Sequence, residues 1–308
     1  MGIPQTGSAF KKGFHTLWFE LCLGLVRVLP RPVFALLVRG VIAIMYATFS
    51  KLQKNAQESL EIAFGSSLTS REKQRIARES FYNLAGGIAW FIYGIQHRDV
   101  TVRTFVVEGQ EHLDRAMQRG KGAVIAIGHY GPFAWMIQYF AFAGYPAHVL
   151  MRAPRSSFLK EKFLESRDRL GLRLIYSTPI RQCITECHDA LAQGGMIFMP
   201  IDQNYGASGR IFVDFFGHKV GTAPGAASYA IKTGAALLMA FCVPLPDGRF
   251  KIVIEPEIRI DPPMDDQATQ MRYMALLTAR LEGLIRERPE QWSWMHRRWK
   301  AVPRDGEI

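Results

Sequence analysis

His129 is the side chain in this sequence best placed to do chemistry. It follows an apolar run, Ala123–Ile127, and Gly128, and it precedes Tyr130, Gly131 and Pro132. Five apolar residues closed by glycine read as a buried strand, and proline suits the first turn of a helix. His129 is therefore expected at the carboxyl end of a strand, where open α/β sheets bind their ligands. An imidazole there can act as a general base, although a strand–His–helix pattern also fits a histidine that merely packs. Arg152, Arg155, Lys160 and Arg167 lie between a second apolar run, His148–Met151, and Gly171. Guanidinium groups suit bidentate contacts with phosphate, and Arg210, after the Gly206–Gly209 turn, is placed to reach the same acceptor. Each of these arginines taken alone also fits a solvated surface charge.

Other chemistries lack their signatures. Cys183, Cys187 and His188 suggest a metal, but cysteines at i and i+4 of a helix are common and no second ligand cluster follows. The sequence has no G-x-S-x-G elbow, no G-x-x-x-x-G-K-[ST] phosphate loop and no G-x-G-x-x-G between a strand and a helix.

From Phe105 onward, short apolar runs alternate with helical stretches. Strands are predicted at Ala123–Ile127, His148–Met151, Leu174–Tyr176, Met196–Pro200, Ala236–Val243 and Phe250–Ile254. Helices are predicted at about 132–143, 157–170, 180–192, 223–233 and 268–287, the last ending before Pro289. That alternation predicts an α/β fold, a mostly parallel sheet with helices on its faces. Residues 51–95 read as helical, with an amphipathic piece from Asn55 to Phe64 and a cap at Thr69 or Ser70 ahead of Arg71. The division expected is 1–54 as membrane-associating helices, 55–103 as a helical lead-in and 104–308 as the α/β domain.

The first segment carries the charge argument. The chain has 38 Lys and Arg against 27 Asp and Glu, a net charge of +11, which points to a polyanionic partner. Lys11, Lys12, Arg27, Arg31, Arg39, Lys51 and Lys54 stand against Glu20 alone in residues 1–54, interleaved with the apolar runs Leu17–Leu29 and Val33–Phe49. Basic residues flanking apolar helices fit an anionic membrane surface, and no nucleic-acid-binding signature accompanies them. Neither run is a clean uncharged span or carries a small-residue cleavage site. A monotopic anchor is expected, with a single tilted span or two buried core helices as the alternatives. The four cysteines form no paired framework, which fits a reduced, cytosol-facing protein.

Several stretches together bear a resemblance. Gly128-His129-Tyr130-Gly131 is similar to the glycine–histidine–aromatic–glycine opening of the lipid A late-acyltransferase (lauroyl/myristoyl acyltransferase) family, within the lysophospholipid acyltransferase superfamily. Asp202-Gln203, then Phe215-Phe216-Gly217, Thr222, Ala223 and Gly225, resemble its PDQ…FFG…A…G block. Met151-Arg152-Ala153-Pro154, with Arg167 and Gly171, resembles its YRP…R…G block. The run from Pro289 to Arg298 is close to its PEQWxWxHRR signature, and Asn55, Leu60 and Phe64 fit its entry motif. These stretches cover nearly the whole chain in order. The resemblance implies a glycerolipid-acyltransferase-like fold and an enzyme on the cytoplasmic face of a bacterial inner membrane. It would move a fatty acyl chain from acyl carrier protein or acyl-CoA to a hydroxyl of a lipid acceptor, such as a lipid A precursor or a lysophospholipid. The site implied contains His129 as base and Arg152, Arg155, Arg167, Arg210, Phe216 and Gly217 toward the substrate, with no metal or tightly bound cofactor.

One position departs from the pattern. The family places Asp or Glu five residues after the histidine, to orient the imidazole as the Asp of a Ser-His-Asp triad does. Here that position is Ala134, and Trp135, Met136 and Ile137 are also uncharged. Another acid, Asp202 foremost, or a backbone carbonyl takes over; or the alanine was introduced to silence an enzyme; or the chain is a catalytically silent lipid-binding or scaffold relative. Arg297, Arg298 and Lys300, after the tryptophans, suit a headgroup interface, while Trp292 and Trp294 suit equally well the cap of a core.

Overall fold

The computed structural model describes residues 24–154, 156, 167–207, 209–261, 263–301 and 303. Lys11, Lys12, most of the first apolar run, Arg155, Lys160 and nearly all of the helix predicted at 157–170 lie outside them.

A helical stretch at 24–28 leads into α1 (Arg31–Thr48), α2 (Ser50–Phe64) and α3 (Ser70–Gln96). Thr69 begins α3 with a capping box: its hydroxyl accepts from the Glu72 N–H at 3.3 Å, and the Glu72 carboxylate accepts from the Thr69 N–H at 2.7 Å. The α1 helix buries only Phe34 and Ile42. Phe34 sits between Trp90 and Tyr93 of α3, with ring centroids 5.3 and 4.7 Å away. Its outer face stays bare, with Leu36 72% and Ile44 67% exposed beside Val33, Leu37 and Val41. Among the described residues this is the one helix long and apolar enough to cross a membrane, judged by length and composition.

After α4 (Arg98–Thr104) the α/β region follows. Its elements are β1 (Phe105–Glu108), α5 (Gln110–Gln118), β2 (Ala123–Ile127), α6 (Phe133–Phe142), β3 (Ala147–Met151), α7 (Arg167–Leu170), β4 (Arg173–Tyr176), α8 (Ile180–Ala192) and β5 (Met196–Pro200). A hairpin, β6 (Ile211–Phe215) and β7 (His218–Thr222), precedes α9 (Gly225–Thr233), β8 (Ala236–Pro244), β9 (Phe250–Ile254) and α10 (Gln267–Glu287). Seven strands form one sheet in the order β1-β9-β8-β2-β5-β3-β4. All its pairings are parallel except β8 with β9. The protein is thus α/β with a mostly parallel central sheet flanked by helices.

The middle strand explains its own sequence. All five residues of β2 are buried. Val124 and Ala126 join a core on one face with Leu60, Ile76, Trp292 and Trp294, while Ala123, Ile125 and Ile127 join Trp135, Phe140 and Phe198 on the other. A strand covered on both faces needs a continuous apolar run rather than alternation.

Candidate functional site

The sheet register brings two distant residues together. β2 and β5 pair in parallel, with Ile127 opposite Pro200 as the last matched positions. Two residues beyond each lie His129 and Asp202. The His129 imidazole Nδ1 is 2.8 Å from Asp202 Oδ1, and the His129 backbone N–H donates to Asp202 Oδ2 at 2.6 Å. The glycines flanking His129 are required by close packing. A Cβ on Gly128 would lie 2.6 Å from the Leu281 side chain, and Gly131 has φ +57° with the Cys242 carbonyl 2.5 Å from where its Cβ would be.

The C-terminal segment closes over this strand end. Tyr130 and Trp292 form an antiparallel bridge. The Gly131 N–H donates to the Gln291 carbonyl at 2.8 Å, and the Ser293 N–H donates to the His129 carbonyl at 3.1 Å. The Trp292 indole N–H then reaches Asp202 Oδ2 at 2.8 Å. Asp202 Oδ2 thus accepts from two fixed donors and Oδ1 faces the imidazole, all within a buried pocket where Asp202 is 1% exposed.

Burial alone would push the Asp202 carboxyl up. The charge and hydrogen bonds of His129, with the charge of His296, override it and hold the group well below the usual carboxylate range. An ionised Asp202 only accepts, so His129 Nδ1 carries a proton, and in the neutral form of the ring Nε2 holds the lone pair. The Gln203 amide nitrogen lies 3.1 Å from Nε2 and donates to it. The rings of Phe133 and His296 flank the imidazole at 4.7 and 4.6 Å. His129 is 8% exposed, with its Nδ1 engaged and its Nε2 met by a neutral amide that a hydroxyl can replace. Such an imidazole can remove a proton from that hydroxyl.

Arg298 stands behind the pair. It is fully buried and donates to the Gln203 carbonyl at 2.9 Å, the Gly221 carbonyl at 2.7 Å and the Thr222 hydroxyl at 2.5 Å. Burial pushes its guanidinium down to about 10, and the field of Asp202 pulls it back up. It remains a cation at neutral pH, bound by neutral acceptors in the core. Of the expected headgroup cluster, Arg297 and Lys300 are exposed while Arg298 is internal, and Trp292 and Trp294 belong to the core.

The other expected site residues lie as follows. Arg152 is exposed just past β3. Arg155 and the Arg167 side chain are outside the described residues. Arg210 donates to the Gly206 and Ala207 carbonyls and lies over the Phe212 ring at 5.4 Å. Phe216 and Gly217 make the two-residue turn between β6 and β7, both at positive φ, +52° and +75°. The Phe216 ring packs on Phe64 and Trp294, and Arg286 lies 4.4 Å over it. Gln203 and His296 join His129 without having been assigned a role from sequence, and Trp292, read there as an interface or core-capping residue, joins them; the motifs that contain them give no distances.

A model of the family described as bacterial lipid A biosynthesis acyltransferase matches residues 12–301. The chain belongs to this acyltransferase family. It is similar to the lipid A biosynthesis palmitoleoyltransferase of Escherichia coli K12, 27% identical over 295 residues, covering 93% of this chain and 91% of the relative. It also resembles that organism's lipid A biosynthesis lauroyltransferase, 26% identical over 299 residues with 94% and 91% covered. A phosphatidylinositol mannoside acyltransferase of Mycolicibacterium smegmatis is 26% identical over 200 residues, 62% of this chain and 61% of the relative.

In this acyltransferase His296 makes a stability prediction. Burial and the charge of His129 push its imidazole down to about 4 from an ordinary 6.5, against the pull of Asp202. Its neutral form is the one the fold accepts. That stability is complete above pH 6.5 and is lost as pH falls toward 4, because the unfolded chain binds the proton first. The expected loss between pH 7 and 4 is about 3 kcal/mol, read from urea midpoints, and His296→Gln should flatten most of that slope. An equally steep slope in the variant would rule His296 out as its source.

Proposed function

We propose that this acyltransferase moves a fatty acyl chain from a thioester to a hydroxyl of a membrane lipid, with His129 as general base and Asp202 as the acid that orients it. The hydrogen bond between His129 Nδ1 and Asp202 Oδ1 carries this reading. It supplies from β5 the carboxylate that Ala134 lacks on α6.

The acceptor hydroxyl takes the place of the Gln203 amide at His129 Nε2. As its proton moves to Nε2, its oxygen attacks the thioester carbonyl carbon. The tetrahedral intermediate collapses by breaking the carbon–sulfur bond, and the leaving thiolate recovers the proton from the imidazolium. One ester and one thiol result from one thioester and one alcohol. Asp202 favours the charged imidazole through that cycle and is not itself protonated.

The relatives' names support the substrate class: two act in lipid A biosynthesis and one on phosphatidylinositol mannoside. The acceptor we favour is a lipid A precursor or another glycolipid, with acyl carrier protein or acyl-CoA as donor. Residues 1–54 are read as the membrane-associating segment and the sheet region as the catalytic domain, at the cytoplasmic face of a bacterial inner membrane. The bare apolar face of α1 supports that placement. Arg152, Arg155, Arg167 and Arg210 remain our choices for the acceptor's phosphates, with Phe216 and Gly217 shaping the wall near them.

The test is transfer of labelled acyl chain from carrier protein or coenzyme A to a panel of lipid acceptors. The unaltered chain should transfer, and His129→Ala should not. Ala134→Glu should leave kcat within about threefold, because Asp202 already occupies the imidazole N–H that a second carboxylate would need. A gain of several orders of magnitude in Ala134→Glu would show that Asp202 does not orient the base. No transfer by the unaltered chain to any acceptor would favour a silent lipid-binding role.

A further inference from the structure

Away from His129, α3 turns one face toward a cavity of about 770 Å³ shared with the end of α1 and the start of α2. Arg71, Arg75 and Arg78 line it, at i, i+4 and i+7 on one side of the helix, and Tyr46, Gln53 and Gln57 stand opposite. Its one lining carboxylate, Glu72, is engaged by the Thr69 N–H and hydroxyl, both at 2.7 Å. Arg75 pairs with Glu79 at 2.8 Å. Arg71 and Arg78 have no carboxylate partner among the described residues. Arg78 also lines a second cavity of about 550 Å³ with Glu79, Tyr82, Asn83, Glu290 and Gln291, though it forms an ion pair with neither carboxylate.

Two guanidinium groups that form no ion pair among the described residues, Arg71 and Arg78, facing amides across a roomy cleft, are suited to a group with several anionic oxygens. Position narrows the class. Tyr46 belongs to the last turn of α1 and packs on Phe81 and Tyr82 of α3, so the cleft lies on the packed side of that helix, at the level where its exposed apolar face ends. A lipid beside α1 with its chains at the level of Leu36, Val41 and Ile44 would carry its head at the level of this cleft.

We propose that the cleft between α3 and the α1–α2 junction is a phosphate subsite, held by Arg71 and Arg78, for the headgroup of an anionic membrane phospholipid. It rests on the reading of α1 as membrane-facing. The subsite would fix the height and tilt of the enzyme on the bilayer, leaving the acyl acceptor to the His129 end.

The full chain and an Arg71→Gln/Arg78→Gln form are compared for partition onto vesicles of phosphatidylcholine alone or mixed with phosphatidylglycerol. A control, Arg173→Gln/Arg181→Gln, removes the same charge from exposed positions at β4 and α8. The cleft variant should lose about tenfold or more in partition onto the mixed vesicles, with little change on phosphatidylcholine, and the control should lose much less. Inorganic phosphate is tested in parallel by phosphorus NMR line broadening. Broadening by the full chain that the cleft variant lacks also supports the subsite, with free phosphate as a second occupant. An equal loss in the control, or no difference between full chain and cleft variant in both assays, overturns it. If the full chain partitions onto no vesicle, the membrane reading of α1 fails. The subsite then stands only if phosphate broadening is present and lost in the cleft variant.

Discussion

Asp202→Asn should lower kcat for acyl transfer about 10⁴-fold with little change in KM. The size of the effect follows from which oxygen does what. Oδ2 accepts from the His129 N–H and the Trp292 indole, two donors that cannot rotate away. In the asparagine variant the remaining oxygen keeps those two donors, and the amide NH₂ is turned toward His129 Nδ1. Nδ1 must then accept, which moves the ring proton to Nε2 and leaves no lone pair for the acceptor hydroxyl. His129→Ala should be at least as damaging. The double variant should be about as slow as the slower single one, because base and orienting acid act as a unit. Steady-state kinetics on the three variants checks this, with unchanged urea midpoints for His129→Ala as the folding control. A Asp202→Asn enzyme within about tenfold of the parent would remove Asp202 from the proposed mechanism.

Arg298→Met should destabilise the fold by about 3 kcal/mol or more, since an orphaned buried carbonyl costs about 1–3 kcal/mol and each further hydrogen bond lost from a charged donor about 1.5–3 kcal/mol. Methionine fills the volume but offers nothing to the Gln203 carbonyl, and it withdraws one donor each from the Gly221 carbonyl and the Thr222 hydroxyl. It also removes the buried positive charge that faces Asp202. The Gln203 backbone would lose its anchor, so the activity left in folded protein should fall as well. Arg298→Lys should recover only part of the loss, because one ammonium cannot span three acceptors with the geometry of a planar fork. The observable is the urea midpoint at constant slope. A midpoint unchanged in Arg298→Met would mean that water replaces the guanidinium in full.

The strands beside His129 were legible because they are buried on both faces: Ala123–Ile127 and Met196–Pro200 are apolar runs closed by turn residues, and they occur with those bounds. Phe250–Ile254, only partly buried, and the helix Ile180–Ala192 also occur with the bounds expected. The β6–β7 hairpin was not: its turn uses Phe216 at positive φ, held by packing on Phe64 and Trp294, where a local signal would have been Asn-Gly or Asp-Gly. β1 has four residues and α5 nine, too little pattern to separate from their surroundings. At the site, the resemblance offered Asp202 as the foremost substitute acid, but the partners of that acid are set by sheet register. His129 and Asp202 are 73 positions apart and meet because β2 and β5 are neighbours. Nothing local marks Arg298 as internal. It sits in a basic run, His296-Arg297-Arg298, whose middle member is exposed and whose last is fully enclosed.

The bridge from Tyr130 to Trp292 gives the site an order of assembly. On the ribosome, the strand that ends in His129 emerges first, and the segment bearing Asp202 follows. Trp292, 90 positions beyond Asp202, follows both. Until it docks, the carboxylate lacks its indole donor, and the core face that Trp292 and Trp294 fill is open. The growing chain can build its sheet and bring His129 to Asp202 before the carboxylate gains its indole donor, so the full constellation arrives only once the Trp292 segment has emerged. Messages that stop short of codon 292 should therefore yield inert, aggregation-prone fragments rather than weakly active ones.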